Sequence, residues 1–480
     1  MKKHQDLTKI LYHPGMSAPL PIILDRSAGP SLTLQIAEAI RAAIEEGRIA
    51  AGARLPSWRD LAAQLGVARG TVRAAYERLS DQQLIIGLGA AGTRVAQRSP
   101  LVSFAAPVED RSPLPAFFRD FESHPLPFQM GVPAEDAFPY AHWSRHVARA
   151  ARAAAAAPVG YPDPRGLPQL RREIAGYLAL ARGISCGPGQ VIITAGFAAA
   201  LNLVIRALSL EGSQAWFEEP GFPLTRTALE LAGISPQPVP VDEEGLDVAA
   251  GQRLAPEAAL ALVTPGQQAP TGVTLSLTRR LALLDWAQRT NGWIVEDDYL
   301  GELQLKGRAA PALASLDQAG RVLHVGTFSK TITPGLRLGF LVVPPALADH
   351  FGTVAACLSP APAPVIQRAV ADFITEGHFL RHLRRMKRLY AVRREALFLA
   401  LRETAPPGCA VRLGGLAVLL DLPAGVDDRD IAGRAVLRGL SPVPLSPWRI
   451  ADHRPGLMLG VTNVPTEQAR ELCERLMTLI

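Results

Sequence analysis

The sequence predicts an α/β chain headed by a small helical unit. Three observations carry this. From "QVIITAG" onward, short β-branched runs alternate with helical segments of ordinary length, the pattern of a mostly parallel sheet buried on both faces. Before about residue 96, apolar residues recur at helical spacing instead. Between the two, "QRSPLVSFAAPVEDRSPLPAFFRDFESHPLP" is dense in proline and has no hydrophobic period, so it reads as a linker. The expected divisions are 17–96, 97–127 and 128–480. With 480 residues, 48% hydrophobic and 20% charged, the chain is long enough to bury more than one core.

Composition excludes several classes. No apolar run approaches a membrane span, and "MKKHQDLTKILYHPG" lacks the apolar core and small-residue cleavage site of an export signal, so a cytoplasmic protein is expected. Cys186, Cys357, Cys409 and Cys473 lie far apart, which argues against a disulfide framework and a zinc site; no metal is expected. A net charge of +6 and a pI near 9.3 are compatible with nucleic acid but do not establish it.

In the first unit, "SLTLQIAEAIRAAIEEG" places Leu32, Ile36, Ile40 and Ile44 on one helix face that stops at Gly47. "LPSWRDLAAQLG" offers Ser57 as an N-cap and Gly66 as a stop. In "VARGTVRAAYERLSDQQ", Val72, Ala75, Tyr76 and Leu79 face one way and leave Arg69, Thr71 and Arg73 on another. Two short helices joined by a glycine turn, the second with donors near its N-terminus, suit a major groove. "LIIGLGAAGTRV" then reads as a two-stranded wing. This part resembles the winged helix-turn-helix of GntR-type regulators, whose "PSxRxLAxxLGVxRxTVxxAYxxL" pattern is matched from Pro56 to Leu79. The resemblance implies that Arg59, Arg69, Thr71 and Arg73 contact a double-stranded DNA operator and that Arg94 reaches it from the wing. The wing tip "GLGAAG" is less basic than many in that family.

In the second unit, the expected strands are "QVIITAG", "AWFEEPG", "LALVTPG", "GWIVEDDY", "RVLHVGTFSK" and "GFLVVPP", and ligands in such sheets bind at the carboxyl ends. Polar residues collect there. "ITAG" leads through Gly196 into a helix whose free N–H groups can hold a phosphate, "EEPGF" ends in Phe222, and "IVEDDY" sets acids beside Tyr299. "GTFSK" delivers Lys330, one of only six lysines among 50 basic residues, with Arg337 following in "GLRLGF". Pyridoxal phosphate needs such a set: an amine for its aldehyde, a carboxylate for its pyridine nitrogen, a stacking ring and a phosphate cup. Arginine cannot supply the amine.

Here the likeness extends over nearly the whole chain, which resembles MocR/GabR-type transcriptional regulators. In these, a GntR-like winged helix is fused to a fold-type-I aminotransferase-like domain with a small C-terminal α+β subdomain. The blocks that carry it are "GYPDPRGLPQLR", "VDEEGLD", "IVEDDY", "GTFSK" with "LRLG", and "GHFLRHLRRMKRLY". The resemblance implies that Lys330 bonds the cofactor, Asp297 meets the pyridine nitrogen, Tyr299 bonds the phenolic oxygen and Phe222 stacks on the ring. Thr327, Ser329, Arg337 and the backbone at Gly196 and Phe197 hold the phosphate, and Tyr161 completes the cup from the other subunit of a domain-swapped homodimer. Arg226 and Arg449 are the candidate clamps for an effector carboxylate. "TAGFAAAL" and Gln267 depart from the commoner pattern around the ring. The expected function is a DNA-binding regulator that senses an amine, an amino acid or pyridoxal phosphate itself. A working aminotransferase with a DNA-binding appendage, and a DNA-binding protein with a vestigial cofactor site, are the alternatives.

Overall fold

Two serines start the first helices of the N-terminal unit in the computed structural model. Residues 8–11, 20–26, 29–97, 123–305, 310–452 and 454–480 are described. The chain forms two compact units, Met1–Phe118 and Arg119–Ile480. The expected linker falls mostly on residues 98–122, outside the described residues.

The first unit runs β1 (Thr8–Leu11), β2 (Leu20–Ile23), α1 (Leu32–Glu45), β3 (Arg54–Leu55), α2 (Trp58–Leu65), α3 (Arg69–Asp81), β4 (Ile85–Gly87) and β5 (Thr93–Val95). Ser31 Oγ accepts from Leu34 N at 3.3 Å, and Ser57 Oγ accepts from Asp60 N at 3.1 Å, satisfying N–H groups that have no partner within the helix. Gly66, at φ +65°, ends α2 in the left-handed region that glycine adopts without a Cβ clash. Ile36, Ile40, Leu61, Val72, Leu79 and Val95 form the core. Tyr76 is buried among them and donates its hydroxyl to Pro56 O at 2.9 Å, tying α3 to the start of α2. The wing is a three-stranded sheet in the order β3-β5-β4, one strand more than expected. The β1–β2 hairpin was not expected either, yet its Ile22 is buried in the same core.

The second unit is built on an eight-stranded sheet. Its strands are β6 (Val191–Thr194), β7 (Gln214–Glu219), β8 (Ser235–Asp242), β9 (Gly245–Leu246), β10 (Leu260–Val263), β11 (Trp293–Asp297), β12 (Val322–Thr327) and β13 (Gly339–Val342). The order is β6-β13-β12-β11-β10-β7-β8-β9, parallel from β12 to β8, with β13 antiparallel to both neighbours. Around it lie α4 (Tyr140–Ala155), α5 (Pro168–Ala181), α6 (Phe197–Ala207), α7 (Pro223–Leu231), α8 (Val248–Leu254), α9 (Leu277–Thr290), α10 (Ala348–Leu358) and α11 (Pro364–Thr375). Strand alternation explains the continuous apolar runs: in β10, Leu260 and Leu262 pack into one core with α6, α7 and α10. Ala261 and Val263 pack into another, where Trp216 stacks on Trp286 at 4.1 Å.

The C-terminal part follows α12 (His378–Thr404), whose Leu383, Met386, Tyr390 and Leu397 are buried. An antiparallel sheet of β14 (Ala410–Gly414), β15 (Ala417–Asp421), β16 (Val443–Pro444) and β17 (Gly456–Gly460), in the order β14-β15-β17-β16, carries α13 (Asp428–Leu437) and α14 (Ala469–Met477). None of the described helices is long and apolar enough to cross a membrane.

Candidate functional site

The acid run at the end of β11 shows how the sheet sorts its charges. Successive strand side chains point to opposite faces, so Glu296 and Asp298 share one face and Asp297 takes the other. Glu296 is buried against His324 Nδ1 at 3.0 Å and accepts the N–H groups of Leu313 and Ala314 at 2.7 and 2.9 Å. The His324 imidazole is held above its usual range by Glu296, against the opposing effect of burial. Asp298 accepts from Arg182 Nε at 2.6 Å in a fully enclosed pair. These four groups form a buried charged network that the sequence reading missed, although the period-two spacing of Glu296 and Asp298 was its signal.

Asp297 and Lys330 face each other electrostatically across the carboxyl ends of the adjacent strands β11 and β12, where Asp297 registers with Val325. Burial, with Asp298 adding to it, raises the Asp297 carboxyl to about 8, while Lys330 pulls it down. The Lys330 amine is lowered to about 8, first by burial and also by Arg337, with Asp297 opposing. Its Nζ donates to Gly131 O at 3.2 Å. Tyr299 lies in the same field, its phenol pushed up by burial and by Asp297 and Glu218. Glu218, unforeseen in the sequence, is raised to about 7 by burial, while Thr264 N and Oγ1 (3.0 and 2.5 Å) and Gln268 Nε2 (3.3 Å) donate to it.

An anion cup sits beside Lys330. Gly196 caps α6 at φ +84°, and a Cβ there would stand 3.6 Å from Arg337 Nη2, so the guanidinium lies at the N-terminus of α6, where Phe197 is the first helical residue. Thr327 Oγ1 accepts from Ser329 N at 3.1 Å and turns the chain from β12 toward Lys330. Helix N–H groups, a guanidinium and hydroxyls are the donor set of a phosphate site. An amine lowered into the working range, an acid that still holds a proton to share with a basic ring nitrogen, and this cup together fit pyridoxal phosphate.

The remaining expected residues are Phe222, Arg449, Arg226 and Tyr161. Phe222 caps α7 after β7 and packs at 5.2 Å against Trp448, where Gly221 N donates to Trp448 O at 2.9 Å. This junction brings Arg449 beside the aromatic pair; its Nη1 is 3.6 Å from Asp452. Arg226 instead lines a shallow depression with Glu230, Ser235 and Ile450. Arg226 stands in the first turn of α7, its N–H donating to Phe222 O at 3.2 Å, and Ile450, which shares the depression, donates its N–H to Glu219 at the carboxyl end of β7 at 2.7 Å. Tyr161 is 105% exposed and stands outside the cup of its own chain.

In the first unit, Arg59, Arg69, Arg73 and Arg94 are exposed and Thr71 partly so. No side chain caps α3; Thr71 N donates to Ala68 O at 3.0 Å in its first turn. Arg59 lies over the Trp58 ring at 4.9 Å, Arg73 pairs with Glu77 at 2.8 Å, and Arg94 Nη1 donates to Gly52 O at 2.9 Å.

Comparison with known proteins identifies the class of each unit. The family model for aminotransferase class I and II matches residues 135–476, and that for bacterial regulatory proteins of the gntR family matches residues 32–95. The chain is 36% identical over 466 residues to the probable rhizopine catabolism regulatory protein MocR of Rhizobium meliloti, covering 94% of each. It is 33% identical over 424 residues to the pyridoxine biosynthesis transcriptional regulator PdxR of Corynebacterium glutamicum, covering 88% of this chain and 90% of that one. Among solved structures, the α-aminoadipate aminotransferase LysN of Thermus thermophilus, complexed with N-(5'-phosphopyridoxyl)-L-leucine, matches with a TM-score of 0.67 at 27% identity, over 74% of this chain and 91% of that one. A gntR-family helix-turn-helix and an aminotransferase class I and II fold thus occur on one polypeptide. The chain belongs to the MocR-type regulators, GntR-family DNA-binding proteins with an aminotransferase class I and II domain, and is a pyridoxal-phosphate-dependent transcriptional regulator.

Proposed function

We propose that Lys330 is the cofactor attachment point and that exchange or loading at this lysine changes how the winged helix binds its operator. The observation that supports this is a Lys330 amine in the field of both Asp297 and Arg337, with Arg337 beside the N-terminus of α6. When bound, the cofactor supplies an electrophilic carbon conjugated to a protonated ring. Lys330, held to about 8, offers an unprotonated amine more readily than an ordinary lysine. Asp297 would keep a proton at the ring nitrogen, Tyr299 would orient the phenolic oxygen, and Ser329, Thr327, Arg337, Gly196 and Phe197 would hold the phosphate.

The effector is a primary amine bearing a carboxylate, or pyridoxal phosphate itself. Arg226, in the first turn of α7 after Phe222, and Arg449, whose loop docks on Phe222, are the candidate clamps for that carboxylate. The working unit is a homodimer in which Tyr161 of each chain enters the other's cup, which accounts for a fully exposed tyrosine beside an equally exposed Val159. Turnover as an aminotransferase is absent or slow.

Reduction of the loaded protein with borohydride, followed by peptide mapping, tests the attachment. The adduct is expected on Lys330 alone, and Lys330→Ala is expected to lose the visible absorption. An adduct on another lysine in the wild-type protein contradicts the assignment.

A further inference from the structure

Away from the cofactor site, His146 on α4 meets Glu376 and His378 at the corner between α11 and α12. One ligand atom from each residue lies within 4.8 Å of the others. The His146 side chain is 4% exposed, and its Nδ1 lies 2.6 Å from the carbonyl oxygen of His142. A carbonyl only accepts, so Nδ1 carries the hydrogen and Nε2 is the nitrogen turned toward the cluster. That nitrogen stands 3.1 Å from Glu376 Oε2. An imidazole lone pair facing a carboxylate oxygen so closely is repulsive, so a cation belongs between them, either a proton or a metal ion. His378 Nε2 approaches the same oxygen at 3.6 Å. A proton on each imidazole meets the carboxylate separately; a single metal ion meets both nitrogens and the oxygen at once.

The distances suit the second choice. Around zinc, bonds of about 2.0–2.1 Å to nitrogen and oxygen set neighbouring ligand atoms roughly 3.3 Å apart in a tetrahedron, between the 3.1 and 3.6 Å observed here. The outer contacts are also those of ligands held from behind: a backbone carbonyl orients His146, and Arg149 Nη2 holds the other oxygen of Glu376 at 2.6 Å while bonding Asp372 at 2.9 Å. His142, one helical turn before His146, lies 4.4 Å from the His378 ring and can supply a fourth ligand, or water can. Arg145 Nη2 faces His142 Nδ1 at 3.0 Å, and Arg381 Nη2 faces His378 Nδ1 at 3.3 Å. For His378 to coordinate through Nε2, Arg381 releases that contact and keeps its bonds to the carbonyls of Glu376 and Gly377. Imidazole with a single carboxylate selects zinc, nickel or copper over magnesium or calcium.

We propose that His146, Glu376 and His378 form a binding site for a divalent transition-metal ion of the zinc class, which clamps α4 to the α11–α12 corner.

The test is equilibrium dialysis of full-length, tag-free, cofactor-loaded protein, stripped with a chelator, against zinc chloride near neutral pH with magnesium in excess. Saturable binding of a single zinc ion per chain is expected, with His378→Ala and Glu376→Gln each weakening it by ~10-fold or more at unchanged circular dichroism and cofactor absorbance. His124→Ala, which alters a histidine paired with Glu135 at another place, is expected to bind like the wild type. No zinc retained below roughly 100 µM free metal, or equal affinity in wild type and both cluster variants, overturns the site and shows a proton-bridged pair instead. Neither result bears on the role of Lys330.

Discussion

Lys330 and Asp297 are each displaced toward neutrality, and that displacement has a sign that can be measured. Burial lowers the amine from its ordinary 10.5 to about 8, so its reactive unprotonated form is lost as pH falls through 8 and is nearly complete above it. The rate at which cofactor-free protein takes up pyridoxal phosphate is therefore expected to rise by about tenfold from pH 7 to pH 9 and then level off. A rate that keeps climbing toward pH 10.5 would place the amine in ordinary solvent. At the effector clamp, Arg449→Ala is expected to weaken the response to amino-acid effectors by roughly 2–3 kcal/mol, the scale of a charge-assisted hydrogen bond. Arg226→Ala is expected to weaken it on the same scale. Effector titrations followed by absorbance measure both.

At the scale of elements, the helices of the first unit were legible because their signals are local. Ser57, Gly66 and the spacing of Val72, Tyr76 and Leu79 act within one or two turns, and the structure places the caps and buried faces where those residues stand. Ser57→Ala is expected to cost about 1 kcal/mol, read as a lowered Tm of the first unit's transition, because Asp60 N loses its acceptor. On α3, Arg69→Ala is expected to weaken operator binding by roughly 1–3 kcal/mol and leave the cofactor spectrum unchanged. Arg73, already paired with Glu77, is expected to cost less. What the sequence hid depends on distant partners. Arg182 is 116 residues from Asp298, and Glu218 is 46 from Thr264, so no local pattern announces either pair. The β1–β2 hairpin escaped notice because each strand is only four residues long. That Ile450 shares a depression with Arg226 depends on a contact between distant parts of the chain, which spacing along one helix does not report.

For the whole molecule, the order of the units and the class of each were readable from one compositional break and two motif blocks, while the coupling between the units was not. That coupling is the central claim. A dimer follows if Tyr161 completes a neighbour's cup, and sedimentation is expected to show two chains per particle, with Tyr161→Ala weakening cofactor retention without altering the α3 face. The most direct measurement is the affinity of full-length protein for DNA upstream of its own gene, with and without pyridoxal phosphate and across a panel of amino acids, in wild type and Lys330→Ala. The wild type is expected to change its affinity by about tenfold or more, or 1.4 kcal/mol, on loading or amine exchange, with Lys330→Ala unresponsive. An equal response in Lys330→Ala, or rapid oxo-acid release at about 1–1000 per second with no change in DNA binding, would contradict it.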